Sequence, residues 1–563
     1  MDYKNILIDK LKDAINLSQE ELNKIIEIPQ DRSMGDLALP CFTLAKSMRK
    51  APQAIAQEIC ETVDFRPYFE KVEAVGPYLN FFYSRESLMN SIVDRIDKEG
   101  YEFGKSDLGS GKNVVIDYSS TNIAKPFHIG HIRTTLIGNA LYRIGKRLGY
   151  NTIGVNHLGD YGTQFGLLIT AFKKWSNKAD VEANPIDKFL ELYVRINKEI
   201  EDNKDLKKEA DGWFKKLEDK DPEAVEIWSW MREISLKEFN RVYERLGIEF
   251  DSYNGEAFYQ DMIPDVVKEL HDKNLLTLDD GCEVVEFEDG TTPLIIKKSN
   301  GTSTYATRDI AAAEYRKKTY DFYKNIYVVA TQQNLHFVQL FKTLEMMGYD
   351  WAKDCIHVGF GMVSLEDGTL STRKGQVLYL EDVINRAVNK TYELIESRNP
   401  ELENKKQVAE CVGIGAIKFQ EFYNQRIKDY VFNWDKTLSF EGETGPYVQY
   451  SFARCSSVIH KSEVDANIKD LNLKYLNDME VEMLKAIYEI PRVIEDAFEK
   501  YEPYFISRQI MEVVKLFNRY YYENPIINYD QELTKHRIAM CEIVRTIIKS
   551  QLNLLGIEAP ERM

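Results

Sequence analysis

Val114-Val115-Ile116, then Ile132, Leu136, Ala140, Leu141, Ile144 and Leu148 at helical spacing, then Thr152-Ile153-Gly154-Val155: this run decides the fold. The first triplet is a short apolar run suited to a strand buried on both faces of a parallel sheet. The second set falls on one face of a helix that ends at Gly149, a C-cap. The third is another strand. Strand, helix and strand make one βαβ unit, which implies a right-handed crossover and a doubly wound sheet.

Working outward, the alternation breaks from about 173 to 250 into charged, strongly helical sequence. Within it, Asp221-Pro222-Glu223 reads as a helix start: an N-cap, a proline at N1 and an acidic first turn. Sheet-like segments resume at Glu283–Phe287, Leu294–Lys297, Ile326–Ala330 and Cys355–Phe360, with a helix over Asn334–Met347; a second half-sheet accounts for them. Beyond about Arg386 the pattern is helical to the end, an all-α bundle. Before the βαβ unit, helical patterns cover Tyr3–Leu17 and Leu37–Thr62, and residues 72–82 read as a hairpin turning at Gly76-Pro77. The expectation is a multidomain α/β protein. An N-terminal α+β domain spans 1–106, a Rossmann-like doubly wound parallel sheet domain spans 107–385 with its helical insertion at about 173–250, and a C-terminal all-α helical bundle spans 386–563.

The 563 residues are too many for one core. With 44% hydrophobic and 29% charged residues, the chain has the balance of a soluble globular protein. No run approaches the roughly 18 apolar residues of a membrane span, and the start does not read as a signal peptide, so no membrane partner and a cytoplasmic location are expected. The seven cysteines stand singly, without C-x-x-C spacing, which suggests neither a disulfide framework nor a cysteine zinc site. The net charge of −17 argues against non-specific binding of nucleic acid over the whole surface but leaves room for a local basic face. Lys535, Arg537, Arg545 and Lys549, opposed only by Glu542, are the candidate.

The segment between the first strand and its helix is the most informative. Asp117 through His131 occupies the position where open α/β sheets bind ligands, and the free N–H groups of the following helix start face that crevice. His128 and His131, three apart, project from the same side of the first turn. Gly130 between them would let a flat nucleotide base approach the backbone. An arbitrary H-x-x-H is more often a capping or core pair, and a metal pair is the next alternative. Here no cysteine accompanies the histidines, and Asp117 and Asp160 sit on other strand ends, so no metal site is expected.

His128-Ile129-Gly130-His131 after a strand resembles the signature of class I aminoacyl-tRNA synthetases and related nucleotidyltransferases. The longer string Ser119 to His131, and Asn156-His157-Leu158-Gly159-Asp160-Tyr161-Gly162-Thr163-Gln164-Phe165-Gly166, resemble arginyl-tRNA synthetases in particular, and the likeness extends over nearly the whole chain. The second signature of that class would be Leu370-Ser371-Thr372-Arg373-Lys374-Gly375. It departs from the general pattern at Leu370 and Thr372, and in this family a lysine before the histidine motif, here Lys125, substitutes for the missing one.

The resemblance implies ATP-dependent ligation of L-arginine to tRNA(Arg) through an arginyl-adenylate, with release of AMP and pyrophosphate. ATP is then a substrate and Mg²⁺ its companion. Activation is an in-line attack of a carboxylate on the α-phosphorus, in which positioning and charge stabilisation supply the rate. His128, His131, Lys125, Ser371, Arg373 and Lys374 would be the catalytic set. Ala124, Pro126, Gly130, Gly361, Met362 and Val363 would join them in holding ATP. A carboxylate can meet guanidinium with two parallel charge-assisted bonds that lysine cannot copy. Tyr305 and Asp309 would hold that group, although Asp309 before Ile310 also reads as a helix N-cap. Asn122, His157 and Gln333 would position the amino acid, with Ser119 beside them, and Asp117 is a further candidate by its place at the strand end.

The same resemblance makes the helical C-terminal third an anticodon-binding bundle, marked by Thr444 to Arg454. Tyr447, Tyr450 and Arg454 offer the rings and guanidinium plane on which unstacked bases are read, and the terminal Met563 would lie close to the anticodon loop. The N-terminal unit would contact the outer corner of the tRNA, the chain would act as a monomer, and tRNA would be needed before adenylate forms. A free-standing nucleotidyltransferase with the same histidine signature would not need the insertion or the long helical C-terminal region. A non-catalytic RNA-binding paralogue of a synthetase would be expected to lose a histidine or the Lys125 region, and all are present.

Overall fold

The computed structural model describes residues 2–15, 17–365 and 379–563. The chain forms two units: residues 1–103 with 455–491 and 512–547, and residues 104–454 with 492–511 and 548–563. The stretch 386–563, expected as one bundle, is thus shared between both.

In the first unit, β1 (Leu37–Pro40), β2 (Phe69–Val75) and β3 (Tyr78–Tyr83) form an antiparallel sheet in the order β1-β3-β2. The hairpin turns at Gly76, whose φ of 57° is left-handed. Leu37–Thr62 is not one helix. Leu37 pairs with Phe81 and Pro40 with Tyr78, and helix follows only after them, as a 3-10 turn Cys41–Leu44, a single α-turn Ala45–Met48 and the longer helix Pro52–Thr62. Pro40 is the reason: inside a helix it would clash with the preceding turn, whereas at a strand end its missing N–H costs little.

The second unit is built on a parallel sheet of β4 (Asn113–Asp117), β5 (Asn151–Val155), β9 (Lys324–Tyr327) and β10 (Cys355–His357), in the order β10-β9-β4-β5. The chain moves from β4 to β5 on one side and later returns to β9 on the other. The direction of winding therefore reverses between β4 and β9, and a crevice opens beyond Asp117 and Tyr327. The crossover helix Ile132–Arg147 ends before Gly149, which adopts φ +82°.

Cys282–Val285 and Leu294–Lys297 do not join this sheet. As β7 and β8 they form, with β6 (Thr277–Asp279), a separate antiparallel sheet. Asp280 and Gly281, at φ 44° and 77°, make the two-residue turn between β6 and β7, the backbone that Asp-Gly favours and that fixes an antiparallel pair.

The insertion, entered from the helix Thr163–Trp175, comprises helices Lys178–Ala183, Pro185–Asp202, Lys204–Glu218 and Pro222–Arg245. Asp221 caps the last of these, accepting from the Glu223 and Ala224 amides at 3.1 Å. From Leu380 onward the described chain is helical apart from β12 (Tyr430–Phe432), which pairs in parallel with β11 (Val363–Leu365). A buried ion pair ties the crossover helix to this part: Arg133 Nε donates to Glu421 Oε1 at 2.9 Å, and both side chains are 1% exposed. Among the described residues no helix is long and apolar enough to cross a membrane.

Candidate active site

Between β4 and the crossover helix the backbone folds back on itself. Ser119, Ser120 and Ala124 adopt left-handed φ of 71°, 46° and 57°, conformations that cost energy for residues with a Cβ and gather where a site demands them. Packing holds the loop there. The Ser119 amide donates to Thr134 Oγ1 at 3.0 Å, and the Ala124 amide donates to Ser235 Oγ of the insertion at 3.1 Å. Ile123 donates to the Gly159 carbonyl and Gly159 to the Thr121 carbonyl. Gly159 must be glycine here, because a Cβ would sit 2.2 Å from Asn122 Oδ1.

His128 and His131 cap the turn reciprocally. His128 Nδ1 accepts from the Gly130 amide at 3.1 Å, His131 Nδ1 accepts from the His128 amide at 3.3 Å, and the ring centroids are 3.9 Å apart. With Nδ1 accepting, each neutral ring carries its proton on Nε2. Burial, and then the neighbouring His128 ring, pull His131 down to about 3; burial likewise lowers His128. The turn therefore offers two neutral N–H donors. Gly130 also serves the ring itself: a Cβ there would meet His128 Cε1 at 2.8 Å, so its absence makes room for the imidazole.

The remaining nucleotide candidates fall on two segments, one preceding the histidines and one following β10. Pro126 is buried and lies two residues before His128, and burial lowers Lys125, whose ammonium lies over the Tyr193 ring at 5.3 Å. Gly361 packs against the 428–429 backbone, where a Cβ would meet Asp429 Oδ1 at 2.5 Å. The exposed Met362 donates its amide to that carboxylate at 2.6 Å, and Val363 is buried. On the far side Tyr379 bridges to His128. Ser371, Arg373 and Lys374 lie outside the described residues.

Beside the turn, at the reversal point of the sheet, lies a cavity of about 450 Å³. Six of the seven expected amino-acid-binding residues line it: Asp117, Asn122, His157, Tyr305, Asp309 and Gln333. Ser119 does not. Its hydroxyl is buried, 2.7 Å from Tyr243 Oη and 2.9 Å from Thr135 Oγ1, which gives it a part in holding the loop. Asp309 is no N-cap, since the helix Tyr305–Tyr320 begins four residues earlier, after Thr304. Its Oδ2 receives His336 Nε2 at 2.7 Å, while Oδ1 stands 3.8 Å from His157 Nε2. Burial opposes its ionisation, but the His336 hydrogen bond and the nearby His157 and Arg316 hold its pKa below the usual carboxylate range. Asp117 is already engaged, accepting from Arg316 Nη2 and from Ser120 Oγ, each at 2.7 Å.

Sequence reasoning missed Glu256, Arg308, Arg316 and His336. Glu256 lines the same cavity with Arg308 Nε 3.2 Å from its Oε2, and burial pushes its carboxyl up to about 7. A signal for it was Gly255, where a Cβ would lie 2.6 Å from both Asp160 oxygens. Among the described residues no group of three or more histidines, cysteines and carboxylates could hold a metal ion.

Of the residues assigned to RNA, Tyr447 is half-buried and Tyr450 is 38% exposed, with the Arg454 guanidinium 4.8 Å from the Tyr450 ring. The Met563 carbonyl accepts from Asn399 Nδ2 at 3.3 Å. The basic segment is less basic than its composition suggests: Lys535 pairs with Glu532, Arg545 with Glu542, and Arg537 donates to the Pro525 carbonyl.

Known proteins match this arrangement along the entire chain. The profile of the class I (R) tRNA synthetase catalytic domain matches residues 94–434, that of the DALR anticodon binding domain 448–563, and that of the arginyl tRNA synthetase N-terminal domain 1–83. The arginine–tRNA ligase of Halothermothrix orenii is 53% identical and that of Clostridioides difficile 50%, each over 100% of both chains. Among solved structures, the Plasmodium falciparum arginyl-tRNA synthetase superposes with a TM-score of 0.82 at 24% identity, covering 100% of this chain and 98% of its own. The Thermus thermophilus enzyme superposes at 0.76 and 23%, covering 100% and 99%; at these identities the likeness is one of fold.

Proposed function

Because the chain belongs to the arginyl-tRNA synthetases and so charges tRNA with arginine, we propose how its own residues divide that work. The Nε2–H groups of His128 and His131 donate to the phosphates of ATP and hold the charge that grows on them as the arginine carboxylate attacks the α-phosphorus. Neutral donors suit this role because they need no proton exchange with solvent and are aimed before the reaction starts. Lys125 adds positive charge to the β and γ phosphates. Of the undescribed segment, Ser371, Arg373 and Lys374 complete the set.

The amino acid occupies the cavity at the sheet's reversal point. Asp309, steadied by His336, accepts the guanidinium with Tyr305 beside it; Asn122, His157 and Gln333 orient the rest. The observation that carries this reading is the low-lying Asp309 carboxylate, lodged in a cavity lined by the loop that leads into the turn of two neutral imidazoles. Asp117 and Asp160 do not fit a resident Mg²⁺: Asp117 is bonded to Arg316 and Ser120, Asp160 to Arg232 and the Ala257 amide. The ion enters as the counter-charge of ATP, and we assign it no protein ligand.

Tyr447, Tyr450, Arg454 and Met563 form the anticodon-reading face, the protein works as a monomer in the cytoplasm, and adenylate formation waits for tRNA. Pyrophosphate exchange into ATP, run with arginine or lysine and with or without tRNA, tests the reading. Exchange should require both arginine and tRNA. Exchange supported equally by lysine would refute the assignment of the cavity, and full exchange without RNA would refute the dependence on it.

A further inference from the structure

The insertion's last helix, Pro222–Arg245, meets the loop after β4 along one stripe. Ser235, Phe239 and Tyr243 are spaced four apart, so they share a face of that helix, and all three are buried. Each touches a different part of the loop. Ser235 Oγ accepts from the Ala124 amide at 3.1 Å, the Phe239 ring meets the Phe127 ring edge-on with centroids 5.7 Å apart, and Tyr243 Oη stands 2.7 Å from Ser119 Oγ. Phe127 also packs edge-on against Tyr243, at 5.3 Å. Ser119 and Ala124 are both held at left-handed φ, so the helix bonds the loop where its backbone most needs support.

Tyr243 reaches further than the other two. Its oxygen accepts from Asn156 Nδ2 at 3.1 Å, and burial raises its phenol above the ordinary pKa, so it keeps its proton. Beyond Ser119 lies Thr135, with the two hydroxyl oxygens 2.9 Å apart, and Thr135 Oγ1 is 2.7 Å from the His131 carbonyl. A carbonyl can only accept, so Thr135 gives its one proton to His131 and receives that of Ser119; Ser119 in turn receives that of Tyr243. The three hydroxyls, each giving one proton and taking one, thus run from Asn156 to the backbone of the histidine turn. All are buried, where the bonds of such a chain strengthen one another and a break leaves polar groups unmatched. None of these side chains lines the amino-acid cavity.

We propose that Tyr243 is a positioning residue for adenylate formation: through Ser119 and Thr135 it sets where the His131 carbonyl, and with it the imidazole of the histidine turn, stands before the phosphates of ATP. The insertion thereby takes part in activation, by way of its last helix. The proposal rests on reading His131 as a donor to those phosphates.

Pyrophosphate exchange in the presence of tRNA, with kcat and the KM for ATP and for arginine measured separately beside thermal melting, decides it. Tyr243→Phe removes one oxygen and keeps the ring; kcat should fall about ten- to a hundredfold, with both KM values within about threefold of the wild type. Ser119→Ala should do the same. The double variant Y243F/S119A should lie within about threefold of the more impaired single one, because the same chain is broken in each. A hydroxyl that only stabilises the fold would lower the melting temperature of Tyr243→Phe and leave its kcat alone, and that outcome overturns the proposal. So do kcat losses that multiply in the double variant, and a rise in either KM that accounts for the loss in kcat/KM. If Tyr243→Phe does not melt cooperatively, Ser119→Ala and Thr135→Val, which removes the last hydroxyl at nearly constant volume, carry the test: the same loss of kcat is expected, and wild-type kcat is the contrary result. His131→Ala in the same assay separates the two layers. Full kcat there overturns the reading of the turn and this inference with it, whereas low kcat there beside full kcat in Tyr243→Phe overturns the inference about Tyr243 alone.

Discussion

The histidine turn and the amino-acid cavity share the loop after β4 but are made from opposite materials. The turn is contiguous, residues 119 to 131, and works with neutral imidazoles whose tautomers are set by their own backbone. The cavity draws on residues from 117 to 337 and is rich in charge, each carboxylate facing a cationic or imidazole partner. Phosphates bring their own strong charge, so preorganised neutral dipoles suffice for them. A guanidinium must be told from an ammonium of equal charge, and that takes a carboxylate whose other partners are fixed.

The contrast should break most visibly at Asp309. Asp309→Asn keeps the size and removes the charge that meets the substrate, so kcat/KM for arginine should fall by about 10³-fold or more. Isothermal titration with arginine should show the loss in the absence of ATP. At the turn, His131→Ala should lower kcat by about 10²–10³-fold, the usual worth of one preorganised donor, with little change in the KM for ATP. Because His131 titrates only near 3, the wild-type kcat should show no step from this residue between pH 6 and 8. A histidine-dependent inflection near 6.5, absent from the variant, would contradict the neutral-donor account.

This same division governs what could be read in the sequence. The βαβ run, the capping pair His128 and His131, and Asp221-Pro222 lie within a few residues of what they determine, and the structure has them where the periodicity puts them. Leu37–Pro40 misled because apolar spacing cannot tell a short strand from a helix turn; Pro40 was the deciding residue. The Asp280-Gly281 turn carried enough information to separate β7 and β8 from the main sheet. Arg316 could not be found that way. It is 199 residues from Asp117 in the chain, in a helix whose pattern is ordinary, and only the folded sheet brings the two together. Ser119 errs in the opposite sense: it sits inside a functional string, yet its hydroxyl serves Tyr243.

A smaller effect sharpens the picture of the turn. Gly130→Ala would push a Cβ against the His128 ring, forcing the imidazole aside and weakening its bond to the 130 amide. Near the reacting phosphates a displacement of this kind should reduce kcat by about tenfold to a hundredfold while the melting temperature changes little. Wild-type kcat would show that the ring's place is not set by the missing side chain.

The smallest predicted effect is also the one in which cavity and turn differ in kind. Glu256, raised to about 7 by burial, with Arg308 pulling the other way and Asp309 and Asp160 adding to the rise, gains charge across neutrality, whereas the histidines do not change theirs. As pH climbs from 6 to 8 the cavity becomes more negative, and the KM for arginine should fall by about three- to tenfold. Stability must move the other way. The folded carboxyl binds its proton up to about 7, while the unfolded one releases it near 4.5. The group's stabilising contribution is therefore complete below 4.5 and lost as pH rises through 7. Glu256→Gln should remove both trends at once: a KM that no longer varies with pH, and at pH 8 a melting temperature above that of the wild type. A variant that keeps the pH dependence of KM would assign the titration to another group. One that melts lower at pH 8 would mean that Glu256 is ionised and stabilised there by Arg308, and that the wall carries a full second negative charge.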